Sequence, residues 1–527
     1  MINIIFNKCK YRLIRFFPYL YFFFESKKMK RIVKHNKKTW GKWNITNPKA
    51  ELLIDAFRFP HWLIANSYFA NILAKKYSAE IKSFSDSKNI SYLTKKILKS
   101  FNWRETVYPV YDEAILEKQK EYLERAHVKI KTKQDLFDYK IDKIWLGIDI
   151  YETYLRGGRP TIDFTDQVFW DTVNDGIGHL LFWNDYFKNH NVAAILLSHD
   201  CYIKQDILAK VAYQNLIPVY LCNAIGLFLS KEPHDLYNNR FWNYPTQFRR
   251  LTKAEQEEAI TWGKQRINTR LSGAGGGEDM QYSEKSAFIS CNKDRRILKQ
   301  SNKLKLIVTT HCFYDNPHGF GGMLFTDFHE WLTFLGEISN QTDYDWYIKP
   351  HPDYFPGTLE VISKITKSFP KITLLPPESS FHQLASEGVK YALTCYGSVG
   401  HELPLLGIQV INASYNPHSA YDFNYHAKSI EEYRYFLLNL NSLSKAINKN
   451  QVYEFYYMHY KYTQLDDLIF PSFKKMLTDI SYKNRGDSAV YNYFLDNWSN
   501  TKHIEIISKM EEYINSGKKN YYLKGVE

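Results

Sequence analysis

The chain has 527 residues, 44% of them hydrophobic and 17% aromatic, with a formal net charge of +13 and a pI near 9.0. That length exceeds one ordinary core, so two domains with appendages are expected, and the apolar content marks a folded globular protein. The positive charge comes without zinc-finger spacing, an RNA-binding aromatic signature or a basic-region heptad, so nucleic acid is not the expected partner; an anionic membrane surface and an anionic ligand fit it.

Residues 1–45 form a basic, aromatic segment. Phe16, Phe17, Tyr19, Tyr21, Phe22, Phe23 and Phe24 are flanked by Lys8, Lys10, Arg12 and Arg15 and then by Lys27, Lys28, Lys30 and Arg31. The apolar run is shorter than the roughly 20 residues a span needs. Pro18 interrupts it and no small-residue cleavage site follows, so no signal peptide is expected. One reading is an interfacial anchor, with rings among headgroups and cations on acidic lipid. The other is a helix packed on the protein's own body. The anchor is preferred because so many rings need cover and the cations sit beside them.

Residues 46–235 read as a first nucleotide-fold half. Strand Glu51–Phe57, helix Pro60–Tyr77 and strand Ala79–Phe84 open it, and residues 88–140 read as a charged helical insertion. A helix following Ile141–Gly147 places Asp149, Glu152 and Arg156 near one face, either as functional groups or as an ion-paired surface. Helix Phe169–Asn189 leads to Val192–Ser198, the clearest buried strand of this half, then to helix Gln205–Asn215 and strand Ile217–Cys222. His199 and Asp200 end that buried strand, the edge where α/β sheets hold ligands. They read as a base or an acceptor contact, or as a helix cap with a loop hydrogen bond.

Residues 236–300 read as a linker region with a helix over Lys253–Ile267. Its glycine stretch Ser272–Gly277 lacks the Lys-Ser/Thr ending of a phosphate loop. A second sheet is expected over 301–445. Strand Leu304–Thr310 precedes a loop with Asn316, His318 and Gly319, and helix Phe325–Ile338 follows. Strand Asp345–Lys349 runs into Pro350-His351-Pro352. Helix Leu359–Ser368, strand Lys371–Leu375, a short helix capped by Ser379 and Ser380, and strand Val389–Thr394 come next. Then Gly397-Ser398 opens a helix over Val399–Leu406 that carries Glu402 and ends at Gly407, before strand Ile408–Asn412. Strands and helices alternating at this pace imply a parallel, doubly wound sheet. Lys349 and His351 at one strand end, with the N–H groups of Gly397, Ser398 and Val399 at a helix start, make a candidate anion site. Residues 446–527 read as a helical, aromatic, basic tail. Cys9, Cys201, Cys222, Cys291, Cys312 and Cys395 form no CxxC pair and read as reduced thiols of a cytoplasmic protein.

Strand–His-Pro followed by strand–Gly-Ser–helix–Glu–Gly–strand resembles the nucleotide-binding domain of GT-B glycosyltransferases. The closest likeness is to bacterial capsule and lipopolysaccharide transferases, including Kdo- and sialic-acid-transferring families with a His-Pro motif. It covers residues 300–440 well and the N-terminal half in outline, and UDP-sugar epimerases and polyol-phosphate transferases share the skeleton. The resemblance implies two Rossmann-like domains facing a cleft, with the tail crossing back onto the first. It puts His351 and the Ser398 loop on the donor phosphate, brings Asn316, His318 and Gly319 near it, and assigns Glu402 to the ribose. It implies transfer of a sugar from a nucleotide-activated donor to a capsule, lipopolysaccharide or O-antigen acceptor, without cofactor or metal. A CMP-linked acidic sugar is favoured and a UDP-sugar stays open. The competing readings are a CDP-glycerol-type transferase and a non-catalytic capsule assembly or export component. Asp200, with His199, Asp149 and Glu152 behind it, is the candidate base, and Arg156 a contact to an anionic group. The expected location is the inner face of the cytoplasmic membrane.

Overall fold

The computed structural model describes residues 29–56, 59–85, 92–223, 226–230, 237–273, 285–289, 296–463, 466–470, 476, 480, 488–522 and 525–526. The aromatic run 14–24 and residues 274–277 of the glycine stretch lie outside them.

Two six-stranded sheets organise the chain. The first contains β1 (Ala50–Asp55), β2 (Ala79–Phe84) and β3 (Trp103–Val107). After a small hairpin of β4 (Lys140–Ile141) and β5 (Ile144–Trp145), it adds β6 (Val192–Leu197), β7 (Val219–Asn223) and β8 (Gly226–Ser230). Its order is β3-β2-β1-β6-β7-β8, parallel except for β8 against β7. The second sheet contains β9 (Lys305–Thr309), β10 (Asp345–Lys349), β11 (Ile372–Leu374), β12 (Val389–Thr394), β13 (Gln409–Asn412) and β14 (Tyr425–His426). It is parallel throughout, in the order β11-β10-β9-β12-β13-β14. Both halves are therefore Rossmann-like, and in each the strand order reverses once, between β1 and β6 and between β9 and β12. Ligands of open α/β sheets sit at that reversal.

The central strands are apolar on both faces because helices cover both sides. Leu52, Leu53 and Ile54 of β1 and Leu306, Ile307 and Val308 of β9 are wholly buried. The helix Pro60–Tyr77 is buried almost all round. One side meets the first sheet; helices Ser488–Asp496 and Asn500–Ser516 of the tail cover another, with Tyr68 Oη 2.9 Å from His503 Nδ1. An all-round apolar helix requires two such neighbours. The tail crosses back onto the first domain as expected.

The two halves share a hydrophobic core that runs through the helices Tyr244–Arg249, Lys253–Leu271 and Lys449–Tyr457. A Cβ on Gly263 would lie 2.2 Å from Tyr453 O, so the glycine lets the last two of these helices approach closely.

The secondary structure departs from the sequence reading in several places. The stretch read as a helical insertion contains β3, an edge strand whose Arg104 and Glu105 are exposed, which is why its composition reads as polar helix. The strands β8 and β14, of five and two residues, carry no alternation long enough to be read. The helix expected over Val399–Leu406 is one α-turn, Val399–Glu402, followed by a 3₁₀ turn, Leu403–Leu406, because Pro404 cannot continue the α-helical ladder.

Candidate functional site

The second sheet delivers its charged groups at the C-terminal ends of β9, β10 and β12. Lys349, the last residue of β10, is 2% exposed. Its Nζ donates to Pro377 O at 2.8 Å and Pro350 O at 3.3 Å, and lies 5.0 Å from the centroid of the Phe381 ring. Among the described residues no carboxylate lies within ion-pairing distance, and burial pushes its pKa down to about 8. A buried ammonium held only by neutral groups is costly unless an anion joins it. The hydroxyls of Ser379 and Ser380, just beyond Pro377, are also buried and have no partner among the described residues. Ser380 stands at the start of helix Phe381–Ser386 but makes no capping bond, contrary to the sequence reading.

His351 stands at the rim. Its Nδ1 accepts the Asp353 N–H at 3.0 Å, so the neutral ring carries its proton on Nε2. The surrounding protein lowers its pKa, which favours that neutral form. His311, just after β9, is fixed in the opposite tautomer. Its Nε2 accepts the N–H groups of Cys395 at 3.1 Å and Tyr396 at 3.4 Å, leaving the proton on Nδ1. Burial, with His351 nearby, lowers the His311 pKa to about 3.

The chain after β12 passes close to His311. A Cβ on Gly397 would lie 2.8 Å from Thr394 Oγ1 and 3.4 Å from His311 Cε1. Gly397 N–H donates to Thr394 Oγ1 at 3.1 Å, so that donor is used internally. The N–H groups of the half-buried Ser398 and Val399 have no partner among the described residues. One α-turn aligns few peptide dipoles, so these two individual donors, rather than a helix macrodipole, make this end anion-ready. Glu402 is turned to another use: its Oε1 accepts from Arg270 Nε at 3.0 Å in a buried pair. That bond fastens helix Lys253–Leu271 to the second domain and places the carboxylate against a guanidinium rather than in an open ribose site.

The first sheet faces this edge with its own strand ends. Asp55 ends β1 at 1% exposed and accepts from Ser198 Oγ at 2.7 Å and Gln205 Nε2 at 3.0 Å. With its own proton on Asp55, Ser198 Oγ accepts from His199 Nδ1 at 2.8 Å, which puts the proton of a neutral His199 on Nδ1. Burial lowers the His199 pKa. Asp200 is half-buried and raised to about 7, chiefly by burial and then by Asp206. Neither residue caps the next helix, whose N-cap is Cys201. Tyr202 follows in a left-handed conformation with φ of 66°, a strained position for an aromatic residue.

The two edges meet. Glu152, 2% exposed, accepts both the backbone N–H and Nδ1–H of His318 across the seam, each at 3.2 Å. Arg156 pairs with Asp315 at 3.4 Å, and Tyr202 Oη donates to the same carboxylate at 2.8 Å. Tyr396 Oη donates to Asn316 O at 3.0 Å, tying the His318 loop to the Ser398 loop. A Cβ on Gly319 would meet Asn316 Nδ2 at 2.6 Å, so this loop folds tightly on itself. Deeper in the seam, Asp327 Oδ2 accepts from Tyr151, from Thr161 at 2.6 Å and from Lys133 at 3.2 Å, while Oδ1 caps the helix Phe328–Gln341. Glu152 and Arg156 thus meet the loop of Asp315, Asn316, His318 and Gly319 across the seam, and His199 and Asp200 stand near enough to feel charges there, Asp315 and Arg156 for His199 and Glu152 for Asp200. Asp149 shares the helix Gly147–Arg156 with Glu152 and Arg156 but is buried against Lys210 at 2.6 Å, inside the first domain. Asp55, Arg270, His311, Asp315 and Asp327 were not singled out from the sequence. Asp55 and His311 end or follow the first strand of each sheet, a position that could have flagged them. Arg270 carries no such signal.

No family model and no curated protein matches the chain. Solved structures with low similarity include KpsC of Thermosulfurimonas dismutans, a beta Kdo 2,4 transferase, at 9% identity and TM-score 0.28 over 50% of this chain and 79% of that one. A glycosyltransferase of Rickettsia africae matches at 9% and 0.23 over 89% and 100%. MnaA of S. aureus with UDP matches at 13% and 0.22 over 89% and 97%. At these scores the likeness carries no argument, and the fold is read from the two Rossmann-like sheets themselves. No helix among the described residues is long and apolar enough to cross a membrane. Among the same residues no group of three or more His, Cys, Asp or Glu side chains is placed to hold a metal.

Proposed function

We propose that the chain is a glycosyltransferase that takes a sugar from a nucleotide-activated donor and passes it to a capsule, lipopolysaccharide or O-antigen acceptor at the inner face of the cytoplasmic membrane. Lys349 carries this reading: a buried lysine with no carboxylate partner among the described residues, at a strand end of the same sheet edge that bears His351 and the N–H groups of Ser398 and Val399. Four donors at the strand ends of one sheet would suit the phosphate of a nucleotide. The acceptor hydroxyl attacks the anomeric carbon, the bond from that carbon to the phosphate oxygen breaks, and its electron pair leaves with the nucleotide. Lys349, His351, Ser398 and Val399 stabilise that departing charge.

Asp200 takes the acceptor proton. A carboxylate poised near pH 7 is well matched to that task. His199 and Glu152 line the same wall; Glu152 holds His318 and so aligns the two domains around the substrate. Arg156 meets an anionic group of donor or acceptor. Gly319 and Asn316 shape the loop that approaches the donor. A CMP-linked acidic sugar is favoured by the surplus positive charge of the chain and by the resemblance of its His-Pro motif to that of families using such donors.

The decisive experiment is thermal shift against CMP, CDP, UDP and their sugar conjugates, with wild type and the His351→Ala and Ser398→Ala variants. Stabilisation by CMP species, weakened roughly 10-fold or more in affinity by His351→Ala and less by Ser398→Ala, which removes only the hydroxyl and keeps the backbone N–H, supports the reading. Binding of CDP species alone moves the protein to the polyol-phosphate class. Wild-type affinity in both folded variants removes the phosphate-site assignment.

A further inference from the structure

The helix Lys30–Trp40 packs Ile32, Val33, Asn36 and Trp40 into the first domain. Asn36 Nδ2 donates to Ser100 Oγ at 3.0 Å, joining it to the helix Tyr92–Ser100. Between these helices lies a cavity of about 310 Å³. Buried Met29 and Val33 and half-buried Leu93 form its apolar part. Lys30, Lys34, Lys37 and Lys96 complete the lining, and among the described residues no carboxylate contributes. Lys30, Lys34 and Lys37 fall on successive turns of one helix stripe, where like charges repel. The groove therefore gains from any anion it takes in.

We propose that this groove docks the protein on an acidic phospholipid surface. The four ammonium groups take headgroup phosphates, and Met29, Val33 and Leu93 receive the glycerol and first acyl carbons. Two observations select a lipid over a soluble anion. The lining joins cations to an apolar floor, which suits an amphiphile and gives inorganic phosphate nothing further. The groove also begins at Met29, directly after 28 residues whose sequence is rich in Phe, Tyr, Lys and Arg. Basic and apolar character thus continues along the chain into the groove. The assignment is independent of the donor site, since none of these residues belongs to it.

The test is flotation of the full-length protein with phosphatidylcholine vesicles, with and without phosphatidylglycerol. Lys34→Gln/Lys37→Gln/Lys96→Gln is compared with a charge-matched control, Lys118→Gln/Lys120→Gln/Lys129→Gln, whose lysines are exposed elsewhere on the first domain. The wild type and the control should float only with phosphatidylglycerol. The groove variant should lose roughly 10- to 100-fold in partitioning, as expected for three lysines leaving an anionic surface, while keeping its thermal stability and nucleotide binding. Unchanged flotation of the groove variant overturns the proposal. So does an equal loss in the control, which would reduce the effect to net charge, or equal flotation on phosphatidylcholine alone. Displacement from vesicles by single-stranded RNA, lost in the groove variant, would assign the groove to nucleic acid instead.

Discussion

Lys349 separates binding from stability at a single residue. Its folded pKa of about 8 lies below the ordinary lysine value, so burial of the charge works against folding where both states are protonated. That penalty is present below about pH 8 and is relieved as the pH rises toward the unfolded value, because the unfolded chain then binds more protons. Nucleotide affinity runs the other way, since the phosphate needs the charged form: it should fall as the pH passes about 8. Lys349→Met should weaken binding at pH 7 by roughly 10- to 100-fold, flatten that pH dependence, and leave the melting temperature unchanged or raised. Calorimetric titrations across pH check this, and a variant that keeps the wild-type slope would remove Lys349 from the donor site. Asp200 has the complementary signature. A base with a pKa of about 7 makes turnover climb with pH through neutrality. Asp200→Asn should lose that ascending limb and roughly 100-fold or more in kcat while binding nucleotide normally. Intact turnover would shift the proton transfer to His199 or to the Glu152–His318 pair.

Among the elements, the helix Lys253–Leu271 has the narrowest tolerance, because Gly263 passes so near Tyr453 O. Gly263→Ala should cost about 1–3 kcal/mol by forcing two helices apart, despite the better helix propensity of alanine. Gly41→Ala, where a Cβ meets nothing within 4 Å, should be close to neutral. Urea unfolding of both variants measures the contrast. The same helix marks the limit of what the sequence makes legible. The long buried strands β1, β6, β9 and β12 and the helix Pro60–Tyr77 announce themselves through unbroken apolar runs or a proline start. The strand ends follow from them, so Lys349, His351, Ser398, His199 and Asp200 can be placed at the sheet edges by position. Partners contributed from far along the chain have no local signature: Arg270 meets Glu402 and Asp327 meets Lys133 only after folding. The edge strand β3 was hidden because a strand with one exposed face and few residues looks like any polar stretch.

At the scale of the whole molecule, Asp327 joins the halves. Burial would raise its pKa, but Lys133, Thr161, Tyr151 and its capped N–H outweigh that and lower it. Its contribution is therefore complete above the ordinary carboxylate range and disappears as acid protonates it. Asp327→Ser can retain a side-chain cap on Phe328–Gln341 while losing the charge that holds Lys133. It should open the seam without unfolding either half: faster hydrogen exchange around Tyr151 and His318, and a larger radius of gyration in small-angle scattering. Unchanged exchange and radius would mean the shared core alone holds the halves together.

The tail that covers helix Pro60–Tyr77 has a consequence in time as well as in space. Residues 60–77 leave the ribosome long before residues 488–516, which bury Tyr68 and Phe69. The first domain therefore cannot complete its core in the order of synthesis, as a self-sufficient domain would. Throughout the synthesis of the residues between them, one of its most apolar helices waits for a cover that has not yet been made. The strands of the second sheet are made in that interval, so they can pair before the first domain is covered.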